Sequence, residues 1–274
     1  MPEPLPQHTC KNCGNTFAGF YCNQCGEKVL GPQDRSFRTF TTGIFRAITL
    51  ADSKFARTLG LVIRKPGFLS REFADGRRVK YLAPMSLFFV LNLVYFLFPL
   101  IQLFNASLRT QINSFHGRSA VQVVASKMTR LHIQDVHSFS ILYDQKTTGL
   151  AKMLVILFAV LASLPLNLIY RSRQRYFTDH VALAVELVCF NLFINALLLT
   201  LVVNLFKLGN YLDETVLTGI FITTNLYFLM LSGRTFYDQR GVALVAKSLL
   251  MIAVLKISLE AYRAILFYVT IGTM

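Results

Sequence analysis

The chain of 274 residues carries 28 Lys and Arg against 14 Asp and Glu, and 54% of its residues are hydrophobic. Its mean hydropathy of +0.48 is too high for an ordinary water-soluble domain and predicts a chain that folds in a lipid bilayer. The net charge of +14 does not by itself indicate nucleic-acid binding, because basic loops held on one face of a membrane explain much of the excess. We expect no nucleic-acid partner.

Two Cys-x-x-Cys-Gly motifs lie near the start of the chain. Their cysteines are Cys10, Cys13, Cys22 and Cys25. In a reducing compartment such pairs are more typical of a metal site than of a disulfide, and no βαβ pattern surrounds them to indicate a redox motif. The spacing predicts one tetrahedral Zn²⁺ ion, with an iron–sulfur cluster as the alternative.

The predicted zinc ribbon covers residues 1–30. Gly14 and Gly26 supply the positive φ that each cysteine turn requires, and the eight residues between the motifs predict a small β-hairpin. We expect Phe17, Phe20 and Tyr21 to cover the metal. Four protein ligands leave no open coordination position, so the predicted zinc is structural and the ribbon is expected to dock a partner.

A basic amphipathic segment is predicted over residues 31–81. Apolar residues recur at helical spacing in 37–48. A second helix is predicted from Asp52 or Ser53 as N-cap and ends before the KPG sequence, because Pro66 disfavours helical geometry in Lys65. These apolar faces pack either on the spans of the protein itself or against anionic lipid headgroups. The basic residues predicted at the membrane surface are Arg35, Arg38, Arg46, Arg64, Lys65, Arg77, Arg78 and Lys80.

Residues 82–272 predict an all-α transmembrane bundle of about five spans, because each of five segments offers about twenty mostly apolar residues. The predicted spans are 82–104, 149–170, 181–206, 214–233 and 242–272. Residues 105–148 would form an external loop, in which 119–131 has helical periodicity and lies either along the outer membrane surface or in a small cap.

Short basic loops predict the orientation of the spans. Arg171, Arg173 and Arg175 follow the second span, and Arg234 and Arg240 follow the fourth. Both loops are expected in the cytoplasm together with the amino terminus, which places the carboxy terminus outside.

The last predicted span contains Lys256, Glu260 and Arg263, which fall on one helical face. Ionisable groups inside a bilayer are costly and mark either internal pairing or function. Mutual pairing that fastens helices is one interpretation. An ion or proton pathway and a lipid-headgroup site are the others.

The third span holds Glu186, Asn191, Asn195 and Cys189. Glu186 is expected to form interfacial hydrogen bonds, and the two asparagines are expected to join neighbouring helices. Cys189 between apolar neighbours indicates an inert buried thiol.

The order CKNCG, YCNQCG and then TLGLVIRKPGFLSREFADGRRVKYLAPMSLFF resembles a family of uncharacterised bacterial membrane proteins that carry a zinc ribbon and a domain of unknown function, frequent in Bacteroidetes and Proteobacteria. The resemblance implies a metal-binding head with the four motif cysteines as ligands, a helical membrane body and a location in the bacterial inner membrane. It implies no activity.

No nucleophile elbow, phosphate-binding loop or paired catalytic carboxylates occur in the sequence. The sequence therefore favours an accessory or scaffold subunit over an enzyme, with the ribbon docking a protein partner or a second copy of the chain. The alternatives are a small transporter or channel that uses the charges of the last span and, third, an intramembrane lipid-modifying enzyme.

Overall fold

A computed structural model of the chain describes residues 7–10, 13–26, 54–75, 77, 80–98, 101, 103–114, 116–171, 175–208 and 214–274. The chain divides into two compact units, Met1–Ser53 and Lys54–Met274. The predicted helix over 37–48 and its basic residues Arg35, Arg38 and Arg46 lie outside the described residues.

The first unit contains a two-stranded antiparallel sheet. Strands β1 (Gln7–Thr9) and β2 (Thr16–Ala18) pair so that His8 lies opposite Phe17. The hairpin therefore differs from the one predicted: a strand that precedes the first cysteine pairs with β2, and the first cysteine motif falls in the connection between the strands.

In the described residues of the second unit, all regular structure is helical. Residues 54–64 are helical (α1) and are followed by α2 (Phe68–Ala74), α3 (Pro84–Leu97), α4 (Leu108–Ile112), α5 (Gly117–Arg130), α6 (Val136–Ile169), α7 (Phe177–Phe206), α8 (Glu214–Thr235) and α9 (Gly241–Thr273). The predicted second amphipathic helix is therefore present as α1, and its Leu59 and Val62 are buried in the main core.

Four helices in the described part of the chain, α6 to α9, are long and apolar enough to cross a membrane. The first and last residues of α7, α8 and α9 lie within four residues of the ends of the corresponding predicted spans. The segment predicted as the first span is different, because its helix α3 has only 14 residues and extends about 21 Å, short of the hydrocarbon thickness of about 30 Å.

The segment predicted as an external loop is largely helical. Residues 105–148 hold α4, α5 and the first turns of α6, which begins at Val136 rather than near 149. Leu108, Val124, Phe139 and Phe267 are buried together, so these elements form a helical cap on the adjoining ends of α6 and α9. The first turns of α6 are mainly polar, so hydropathy alone places the start of this helix too late.

Helix α7 forms the centre of the bundle. In its apolar window 72% of the residues are buried, against 28% to 39% in the three other candidate spans. Its middle, Leu192–Leu198, is a π-helix, a wider coil that often accompanies functional sites. Because α7 contacts α2, α3, α6 and α8, its polar residues meet partners from most of the bundle.

Candidate metal centre and polar sites of the bundle

The four motif cysteines converge in the first unit. Their Sγ atoms all lie within 4.8 Å of one another, with 3.5 Å between Cys10 and Cys25 and 3.6 Å between Cys13 and Cys22. All four are free thiols rather than disulfides. This cluster could hold a metal ion, and it is the one such group of His, Cys, Asp or Glu side chains in the described residues.

The two cysteine motifs share one backbone conformation. The Gly14 N–H donates to the Cys10 carbonyl and the Gly26 N–H donates to the Cys22 carbonyl, each at 2.9 Å. Both glycines have positive φ, 74° and 76°, in a region that a residue with Cβ adopts only with strain. The glycines therefore allow each turn to present two thiols to one point.

The local hydrogen bonds favour a thiolate at Cys22. Desolvation by itself would raise the pKa of Cys22, but hydrogen bonds from the backbone N–H groups of Cys25 and Gln24 lower that pKa to about 6. Because the thiolate is the form that binds metal, Cys22 is the thiol that this environment prepares for a cation. At Cys13 a backbone hydrogen bond from Asn15 acts in the same direction, but desolvation and the neighbouring thiols raise the pKa.

The aromatic residues of the ribbon do not all cover the cluster as expected. Phe17 is buried with Cys10 and Cys22, but Phe20 and Tyr21 are 70% and 62% exposed. The first unit therefore displays two neighbouring aromatic side chains next to the cysteine cluster.

Glu186 has partners that the sequence does not reveal. Its carboxylate is fully buried and accepts hydrogen bonds from the Gly67 and Ser70 N–H groups, each at 2.8 Å, and from the Ser70 hydroxyl at 2.5 Å. Gly67 precedes α2, so the carboxylate satisfies N–H groups that the first turn of the helix cannot bond internally. The role of Glu186 in this structure is to cap α2.

The position of Gly67 requires a glycine. It has φ of 80°, and a Cβ atom there would lie 2.9 Å from the Ser232 Cα on α8. The KPG sequence had indicated only the end of a helix, whereas the structure uses its glycine to bring α2 against both α7 and α8.

An ion-pair network lies at the same end of the bundle, which we name the arginine end. Arg77 pairs with Glu72 at 2.6 Å and with Asp75 at 2.9 Å, and Arg175 pairs with Asp75 at 3.2 Å. The hydrogen bond from Arg77 lowers the pKa of Glu72. The network joins the segment after α2 to the loop after α6.

The residues predicted at the membrane surface thus have different surroundings. Arg64, Lys65, Arg77 and Lys80 are all exposed, and Arg77 in addition pairs with two carboxylates. Arg78 lies outside the described residues. Arg71 donates to the Thr235 carbonyl at 2.9 Å and pairs with Asp238 at 3.2 Å, which adds the end of α8 to the arginine end.

The asparagines of α7 face α8. Asn191 donates to the Asn225 side chain at 2.9 Å and Asn225 donates in return at 2.9 Å, while Asn195 donates to Thr224 at 3.0 Å and to Asn191 at 2.8 Å. All of these side chains except Thr224 are buried. Asn225 lies within a predicted span, so its amide in an apolar sequence was the signal that could have identified this partner.

The three charged residues of the last span are close together. Lys256 Nζ lies 2.9 Å and Arg263 Nη1 lies 3.3 Å from the same Oε1 atom of Glu260. Arg263 also donates to the Leu103 carbonyl at 3.3 Å. The cluster therefore carries two cations and one carboxylate.

Two other polar residues of α7 have separate partners. His180 Nδ1 lies 2.7 Å from the Tyr237 hydroxyl, and Asp179 accepts the Tyr176 N–H at 3.0 Å. Neither contact involves Glu186. The buried Cys189 lies 3.8 Å from the Pro84 carbonyl.

Comparison with known families matches one part of the second unit. The model of a family described as "Protein of unknown function (DUF3667)" matches residues 52–96. The match covers α1, α2 and α3 and so includes the turn at Gly67 that Glu186 holds. No curated protein and no solved structure matches the chain. Over residues 52–96 the chain is thus similar to an uncharacterised family.

Proposed function

We propose that this protein is an integral membrane scaffold or accessory subunit whose zinc ribbon docks a partner protein. The convergence of the four cysteine Sγ atoms within 4.8 Å carries the proposal. It supplies a complete ligand set in a unit separate from the four long apolar helices of the described residues.

Zinc is the metal that suits this donor set best. A tetrahedral ion with Zn–S bonds of about 2.3 Å places its sulfur ligands about 3.8 Å apart, close to the 3.5 Å and 3.6 Å separations of the two thiol pairs. When bound, zinc would supply folding free energy that so short a segment cannot obtain from an apolar core. A fully ligated ion has no position for substrate, which supports a structural role.

Phe20 and Tyr21 are the proposed contact residues for the partner. Large apolar side chains exposed beside a rigid turn are typical of the central residues of protein interfaces, where aromatic residues are enriched. A partner that buries these two side chains would recognise the surface of the ribbon and would not contact the metal.

The proposed location is the bacterial inner membrane, with the ribbon and the arginine end in the cytoplasm. Arg171 and Arg175 follow α6 and Arg240 precedes α9, as the bias of basic residues toward cytoplasmic loops requires. The carboxy terminus of α9 is then outside.

The test is co-purification from the native host in mild detergent, with metal analysis of the same sample. Cys13→Ser combined with Cys25→Ser should remove the zinc and at least 90% of the co-purifying partner, while membrane insertion is unchanged. Phe20→Ala combined with Tyr21→Ala should remove the partner but keep about one zinc per chain.

Cys189→Ala is the matched control, because this thiol is buried in the bundle and lies apart from the cluster. It should retain both the zinc and the partner. Full recovery of the same partner with both pairs of ribbon substitutions would overturn the docking proposal, and wild-type protein with iron in place of zinc would overturn the choice of metal.

A further inference from the structure

A cavity of about 500 Å³ opens on the bundle beside the charged cluster of α9. Its walls come from the π-helical part of α7, the first half of α8, the middle of α9 and the connection between α3 and α4. This volume falls within the range of about 300 to 1,000 Å³ that is usual for small-molecule sites.

The chemistry of the cavity changes from one part to another. Phe221, Ile222 and Ile252 give it an apolar wall, while Lys256 and Arg263 supply two cationic groups. An apolar wall beside two cationic side chains suits an amphiphilic ligand that has an anionic headgroup.

The two cationic side chains can donate hydrogen bonds to a further acceptor. Both share a single oxygen of Glu260, which leaves the cluster with one excess positive charge. The Nε atom of Arg263 is buried and has no hydrogen-bond partner among the described residues, and the Lys256 side chain is 61% exposed. Buried donors normally have acceptors, so Arg263 retains a donor that the described residues do not satisfy. The exposed Lys256 ammonium is the group of the pair that a phosphate oxygen in the cavity can reach directly.

The position of the cavity along α9 fits a bilayer lipid. Lys256 and Arg263 lie 15 and 22 residues after Gly241, or about 22 and 33 Å along the helix axis. For a helix that enters the membrane near Gly241, Arg263 lies near the far boundary of a hydrocarbon core about 30 Å thick. Headgroup phosphates occupy that depth, and the apolar wall of the cavity extends toward the bilayer centre.

We infer that this cavity binds a phospholipid of the surrounding bilayer with a net negative headgroup. Its phosphate contacts Arg263 and Lys256, and one acyl chain lies along Phe221 and Ile252. The bilayer is the source, because a free anion would leave the apolar wall uncovered. Only 28% and 33% of the residues in the apolar windows of α8 and α9 are buried, which gives lipid lateral access. Basic pockets between membrane helices are known to select anionic lipids in this way.

The experiment measures lipid bound to the purified full chain by native mass spectrometry. The probes are phosphatidylglycerol, phosphatidylcholine with the same acyl chains, and inorganic phosphate. We expect phosphatidylglycerol to bind more tightly than the other two. Lys256→Gln should weaken its binding about fivefold, the effect of one cation at a lipid headgroup.

Ala253→Phe tests the cavity with every charge intact, because Ala253 lines it and is exposed. We expect this substitution to weaken phosphatidylglycerol binding by a similar factor. Lys247→Gln is the matched control for lost charge on the same helix, since Lys247 lies over the Tyr170 ring away from the cavity. It should bind lipid as the unchanged protein does.

Neither test substitution removes a hydrogen bond that holds Arg263, and thermal melting without lipid verifies that each variant is folded. Equal binding of phosphatidylcholine and phosphatidylglycerol would overturn the inference. Unchanged phosphatidylglycerol binding by either Lys256→Gln or Ala253→Phe would also do so, as would binding of inorganic phosphate as strong as that of the lipid.

Discussion

At the scale of single residues, Glu186 shows how a charged group is accommodated inside an apolar helix. Its carboxylate is fully buried, and both of its oxygens receive hydrogen bonds from the start of α2. A buried carboxylate costs free energy unless it is paired or hydrogen-bonded, and here three donors from Gly67 and Ser70 satisfy that requirement. In return, α2 gains an acceptor for N–H groups that water cannot reach.

We expect Glu186→Ala to destabilise the folded bundle by on the order of 3 kcal/mol, because three donors lose their acceptor inside the protein. Thermal unfolding in detergent measures the change. Glu186→Gln is the matched variant, since it keeps the side-chain length and one acceptor oxygen, and it should cause a smaller loss. Equal stability of Glu186→Ala and the unchanged protein would show that the carboxylate does not hold α2.

At the scale of helices, the contact between α7 and α8 depends on amide side chains. Asn191 and Asn225 exchange two hydrogen bonds of 2.9 Å, and Asn195 adds a bond to Thr224. Lipid offers no hydrophobic gain for joining two apolar helices, so packing and polar contacts set their register. The π-helical segment that begins at Leu192 lies in this same region of α7.

A double-mutant cycle on Asn191→Ala and Asn225→Ala tests this contact. We expect a coupling free energy of about 0.6 to 1.7 kcal/mol, the range for hydrogen bonds between membrane helices. Unfolding of the unchanged protein, the two single variants and the double variant in detergent supplies the four corners of the cycle. Additive losses, with no coupling term, would mean that the two amides act independently.

At the scale of the whole membrane unit, the two ends of the bundle differ in chemistry. The arginine end joins α2, the loop after α6 and the end of α8 through ion pairs. The helical cap at the opposite end is joined instead by an apolar cluster around Phe139 and Phe267. The short helix α3 lies beside the second half of α7, because the Pro84 carbonyl at its start contacts Cys189 in the middle of α7. The Ile101 N–H, in the segment after α3, donates to Thr200, eleven residues further along α7.

This arrangement predicts that the helical cap and the arginine end face opposite sides of the membrane. Ser126→Cys in the cap and Asp238→Cys at the arginine end, each in a chain whose natural cysteines are replaced by serine, give single labelling sites. In intact cells an impermeant maleimide should label Cys at position 126 and not at 238, and disrupted membranes should allow both to react. Labelling of both positions in intact cells would contradict the placement of the two ends on opposite sides of the membrane.

The amino-acid sequence determined the properties that depend on local composition and spacing. An apolar run of about twenty residues can satisfy its backbone in lipid only as a helix, so α7, α8 and α9 were predicted within a few residues. The repeated spacing of Cys10, Cys13, Cys22 and Cys25 likewise predicted a shared site, because both turns and their glycines are local structures.

Only the tertiary structure decided where the polar groups find partners and which apolar segments form full spans. Gly67 and Glu186 are 119 residues apart in the sequence, and Arg263 meets Leu103 across 160 residues. Helical periodicity gives the face of a residue but not the helix opposite it. The shortness of α3, the early start of α6, the helical cap and the cavity beside Lys256 all follow from such distant contacts, which no local pattern encodes.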